Sequence, residues 1–71
     1  MKKYIVEMEK PNDEDGNGYF FNRAQFPSPM DFFVYGIENA KKMSLNEATK
    51  VYKRSVTDGE TLFRIIEIFN D

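Results

Sequence analysis

The chain has 71 residues, 41% of them hydrophobic and 31% charged, with a net charge of −2 and a pI near 5.1. It contains neither cysteine nor histidine, which removes disulfide staples, thiolate metal sites, and the commonest general base and metal ligand. The mild acidity is too slight for a DNA mimic and of the wrong sign for a general nucleic-acid binder.

Such a length predicts a single small domain spanning residues 1–71, near the low end of what one hydrophobic core sustains. Without staples it must rely on dense packing or on oligomerisation. Seven Phe and four Tyr supply bulk for packing and material for a self-association or partner surface. The longest nearly uncharged apolar run, residues 32–37, falls far short of the ~20 residues of a membrane span. The opening MKKYIVEMEK starts with lysines, but Glu7 and Glu9 interrupt any signal-peptide core. A cytoplasmic protein without membrane contact is the expectation.

Residues 4–9 predict a first strand, with Tyr4, Val6 and Met8 on one face and Ile5, Glu7 and Glu9 on the other. Residues 10–18, KPNDEDGNG, are dense in turn formers and predict a polar hairpin loop. Residues 19–26 predict a second strand, with Phe20, Asn22, Ala24 and Phe26 opposed to Tyr19, Phe21, Arg23 and Gln25. Pro27 and Pro29 end it, because neither can donate a ladder hydrogen bond. Residues 30–37, MDFFVYGI, predict a third strand, with Gly36 marking a bulge or bend.

Residues 40–56 carry the most clearly written element, an amphipathic helix starting at Ser44. Ser44 and Glu47 form a capping-box pattern, and Met43 and Ala48 occupy the staple positions. Leu45, Ala48, Val51, Tyr52 and Val56 recur at helical spacing as a buried stripe, whereas Lys50, Lys53 and Arg54 point outward. The cations suit the negative end of the helix dipole, and Gly59 is the natural left-handed stop. Residues 61–69, TLFRIIEIF, have apolar side chains on both faces and predict a central strand inserted between others. The predicted fold is α+β: an antiparallel or mixed sheet of about four strands, one face covered by one helix, in the order β-β-β-α-β.

Three stretches invite a functional reading. Asp13-Glu14-Asp15-Gly16-Asn17-Gly18 matches the first half of a calcium-binding EF-hand loop. The position that needs a bidentate Glu falls on Ala24, however, and Pro11 stands where the entering helix should be. A hairpin turn explains the same residues, so no metal or other cofactor is expected. Lys50, Lys53 and Arg54 form a basic face that suits phosphate or an acidic partner, or simply solvent. The segment from Phe26 through Met30, Phe32, Phe33 and Tyr35 holds more aromatic surface than one helix can cover. Its excess suits a homo-oligomer or partner surface. Nucleophile–base pairs built on Cys or His are impossible, and a domain this small seldom encloses a reaction pocket, so an enzyme is not expected.

Residues 39–48, NAKKMSLNEA, followed by residues 62–68, LFRIIEI, resemble a pattern in small phage and prophage accessory proteins of Firmicutes. There a short strand leads through A-K-K-apolar into a capped helix bearing E-A, and a closing strand reads close to R-I-I-E-I. The resemblance covers residues 38–69 and carries no catalytic motif. It implies an accessory protein that binds and inhibits a host factor, in the cytoplasm of the host cell. Protein binding through the aromatic segment is therefore the leading expectation. Single-stranded nucleic-acid binding by sheet aromatics and a basic helix is the alternative, followed by a small-molecule sequestering oligomer.

Overall fold

A computed structural model of the chain describes residues 2–10, 14–25, 27–57, 59 and 61–69. Strands β1 (Lys2–Met8), β2 (Gly18–Ala24) and β3 (Met30–Tyr35) are followed by a 3₁₀ turn (Ile37–Asn39), helix α1 (Leu45–Ser55) and strand β4 (Phe63–Phe69). The strands form one antiparallel sheet in the order β3-β2-β1-β4. The α+β class and the β-β-β-α-β order are those the sequence predicts. No helix among the described residues is long and apolar enough to cross a membrane.

The closing strand is not inserted between others. It pairs with β1 along its whole length, from Lys2↔Phe69 to Met8↔Phe63, and lies at the sheet edge. Its apolar residues on two faces have separate causes. Ile65 packs against the core under the helix, whereas Ile66 stands beside Ile5 on the opposite face.

Alternation along the strands sorts the side chains into a helix side and an open side. Val6, Phe20, Met43, Ala48 and Val51 form the core on the helix side, with Tyr4, Phe33 and Ile65 packed against it. The Phe33 ring meets Phe20 edge-on at 5.9 Å and Phe63 at 5.6 Å, geometries that favour aromatic pairs beyond simple burial.

Strands β1 and β2 pair only at Glu7↔Tyr19 and Met8↔Gly18. Beyond that point they separate, and the connector ahead of the helix enters the gap. The Lys41 amide donates to the Phe20 carbonyl at 2.8 Å, and Tyr4 and Met43 exchange two backbone bonds of 2.8 Å. Those bonds satisfy strand groups that the parted ladder leaves open. They also bury the Met43 side chain to 3% exposure.

A second irregularity changes the parity of β2. Its register against β3 shifts between Phe20 and Asn22, so Phe21 is an extra residue in the ladder. Arg23 therefore falls on the helix side with Phe20, rather than opposite to it as strict alternation predicts. Strand β3 ends at Tyr35, two residues short of the predicted limit, because Gly36 turns the chain at φ +88°.

Helix α1 starts where its cap dictates. The Ser44 hydroxyl accepts the Glu47 backbone N–H at 3.2 Å, satisfying one of the free donors of the first turn. The buried stripe is narrower than predicted: Ala48 and Val51 are buried and Tyr52 is half-buried, but Leu45 and Val56 are exposed. These two stand at the two ends of the helix. Gly59 takes a left-handed conformation at φ +73°, but it is not the helix stop: α1 ends at Ser55 and is capped at Val56, three residues earlier.

Candidate functional site

The open side of the sheet is built from the side chains that alternate away from the helix. Ile5 and Ile66 face each other across β1 and β4, and Val34 lies beside Tyr19 across β3 and β2. Met30 and Phe32 follow on β3, with Phe21 at the bulge. Ile5 is fully buried, yet Phe21, Met30 and Phe32 are 52%, 54% and 45% exposed. Met30 and Phe32 thus project from a surface that the single helix does not reach, and Phe21 is exposed at the bulge beside them.

Glu7 anchors this face. Its carboxylate accepts the Tyr19 hydroxyl at 2.8 Å and the Arg64 Nε–H at 2.6 Å, linking β2, β1 and β4. Burial pushes the Glu7 carboxyl up, but hydrogen bonds from Tyr19, Arg64 and Asn17 and the charge of Arg64 outweigh it and hold the group below its usual range. The bond to Glu7, followed by burial, raises Tyr19. A cavity of ≈ 290 Å³ lies beside Glu7, lined by Glu9, Asn17, Leu62, Phe63 and Arg64. It falls just below the range of drug-sized ligand pockets, about 300–1,000 Å³. The Glu7 carboxylate on its wall is already engaged by Tyr19 and Arg64.

The predicted partner-binding residues separate. Met30 and Phe32 lie on the open face, whereas Phe33 points into the core. Tyr35 is 39% exposed, with the Lys10 ammonium 4.7 Å from its ring centroid, within cation–π range. Phe26 lies outside the described residues. Phe21 was not among the predicted contacts, since its prominence depends on a bulge that composition does not announce.

The hairpin loop lies partly outside the described residues, Asp13 included. Asn17, a ligand position in the EF-hand pattern, instead accepts the Lys10 backbone N–H through Oδ1 at 3.0 Å. Gly16 turns the loop at φ +89°. Among the described residues no group of three or more acidic side chains converges as a metal site would.

The basic residues also separate. Lys50 and Lys53 are exposed on α1. Arg54 is held by Asp31, Nε to Oδ2 at 3.1 Å and a terminal nitrogen to Oδ1 at 3.0 Å, and Arg23 reaches the same Oδ1 at 2.9 Å. Burial pushes the Asp31 carboxyl up, but bonds from Arg54 and Arg23 and their charges hold it below its usual range. These cations belong to the helix side, so the sheet separates them from Met30 and Phe32.

The fold and its open face define a small α+β domain: an antiparallel sheet backed by one helix, with apolar side chains projecting from the uncovered side. No protein-family model matches the chain, and no curated protein or solved structure matches it.

Proposed function

We propose that the chain is a non-enzymatic protein-binding module whose open sheet face seats on an apolar surface of a host protein. Met30 and Phe32 are the anchors, with Phe21 exposed at the neighbouring bulge, and the exposure of Met30 and Phe32 on the uncovered face is the observation that carries the reading. Aromatic residues and methionine are the types enriched at such contacts. The phage context and the inhibition of a host defence factor in the host cytoplasm rest on the resemblance of residues 38–69 to phage accessory proteins.

Opposed placement of the basic and aromatic groups favours protein over single-stranded nucleic acid. A strand stacked on Phe32 would have its backbone away from Lys50, Lys53 and Arg54, so the two sets would not act on it together.

Affinity capture from host lysate, with light scattering on the eluted complex, tests the reading. Met30→Ala and Phe32→Ala together should abolish capture while Lys53→Ala preserves it. Undiminished capture by a folded variant lacking both anchors would overturn the proposal.

A further inference from the structure

Away from the open face, the helix side carries a cleft of ≈ 180 Å³ at the junction of α1, β2 and the inserted connector. It is lined by Arg23, Lys41, Lys50, Arg54 and Glu47 around a floor of Phe20, Met43 and Val51. Four cations from three segments of the chain converge there, in a protein whose net charge is −2. Asp31 and Glu47 offset two of them and leave a surplus of two positive charges.

Asp31 does more than neutralise. Only 12% of its side chain is exposed, and it binds both guanidiniums, whose own exposures are 34% and 35%. The two forks are therefore held in place before any ligand arrives, which lowers the ordering cost of binding. Arg23 spends one N–H on Asp31 and Arg54 spends two. Each guanidinium carries five N–H donors, more than Asp31 engages.

We infer that this cleft binds the phosphate or diphosphate group of a small molecule, with Arg23 and Arg54 as preoriented donors and Lys41 and Lys50 closing over the anion. Two features select this chemistry. The surplus charge matches a dianion, and guanidinium forks suit tetrahedral oxyanions bidentately. The cleft is shallow, so a ligand would place its charged group there and leave the rest of the molecule outside. Its position on the helix side makes it independent of the protein-binding face.

Amide chemical shifts of the full chain, titrated with inorganic phosphate, pyrophosphate and a nucleoside diphosphate, test the inference against sodium chloride at matched ionic strength. Saturable shifts of Arg23, Lys41, Lys50 and Arg54 are expected with pyrophosphate and absent with chloride. Equal affinity for pyrophosphate and the nucleoside diphosphate identifies the free anion as sufficient; tighter binding of the latter identifies a nucleotide. Either result supports the site. Lys41→Ala with Lys50→Ala, both at exposed positions, should weaken binding by at least about tenfold, the scale of one lost hydrogen bond to a charged group. Linear shifts that track ionic strength, or saturation unaffected in the folded double variant, would overturn the inference. So would equal affinity for citrate, which lacks phosphorus.

Discussion

Asp31 and Arg54, 23 positions apart in sequence, are joined by two hydrogen bonds of 3.1 and 3.0 Å that tie the start of strand β3 to the last turn of helix α1. Met30 and Phe32, on either side of Asp31, project to the opposite face. One strand thus carries inward groups that fix it (Asp31 and Phe33) and outward groups left exposed. Because β3 is an edge strand paired only with β2, the Asp31 contact is its main polar link to the helix. The exposed anchors owe their placement to that inward attachment.

Replacing Asp31 should therefore cost stability out of proportion to its size. In Asp31→Ala both guanidiniums lose their acceptor, and charged hydrogen bonds of this kind are worth about 1.5–3 kcal/mol. Urea unfolding should show a loss in that range, against about 0.5 kcal/mol or less for Lys53→Ala on the exposed helix surface. Equal midpoints for the two variants would show that the Asp31 clasp contributes nothing.

Phe32 and Phe33, adjacent in sequence, should respond oppositely. Phe33 packs against Phe20 and Phe63, and Phe33→Ala should cost about 3 kcal/mol through lost packing and the cavity left behind. Phe32 is 45% exposed, and Phe32→Ala should leave the unfolding midpoint nearly unchanged while, on the proposed function, partner capture falls. Circular dichroism melts run beside the capture assay separate the effects. A Phe32 variant that melts as early as the Phe33 variant would place Phe32 in the core.

That pair also shows what the sequence could and could not convey. The Ser44 cap and the Ala48 and Val51 stripe were legible because each depends on residues within a turn or two of one another. Which of Phe32 and Phe33 faces outward was not legible, because strand parity is set by pairing partners distant in sequence. The bulge at Phe21 then reverses parity within β2, which brought Arg23 to Asp31 against the simple alternation. Strand β4 reads as central because apolar residues on both faces look alike whether neighbouring strands or a helix and an isoleucine cover them. Met30, Phe32 and the basic helix residues could be picked out by type. The contact from Asp31 to Arg54 could not, since nothing local encodes a bond across 23 positions.

Acid should weaken the fold through Glu7 and Asp31. Both carboxyls are held below their ordinary values of 4.5 and 3.8. Lowered folded-state values mean stability that is present above the unfolded-state pKa and lost as pH falls through the folded one. Between about pH 5 and 8 neither group should contribute a slope, and below pH 4.5 the urea midpoint should fall. Glu7→Gln should start from a lower plateau and lose less on acidification, because its share of the linkage is gone. Parallel decline of wild type and Glu7→Gln below pH 4.5 would remove Glu7 from the explanation.

The connector between β1 and β2 makes the last prediction, and hydrogen exchange reads it directly. The Tyr4 and Met43 amides each donate a 2.8 Å bond across the parted strands, and the Lys41 amide donates one to Phe20. These three amides should exchange as slowly as those of the paired strands, whereas an irregular surface connector would exchange fast. The Met43 side chain is the wedge that keeps the segment seated, being 3% exposed within the core. Met43→Ala should cost about 2–5 kcal/mol, the range for buried methionine. It should also speed exchange at Tyr4 and Lys41 before it speeds exchange at Ile65. Lys42, exposed beside it, provides the contrast, since Lys42→Ala should change neither stability nor protection. If the Tyr4 amide keeps its protection in a folded Met43→Ala chain, the bond is maintained by the strands alone. The connector would then be a passenger in the gap rather than part of the sheet.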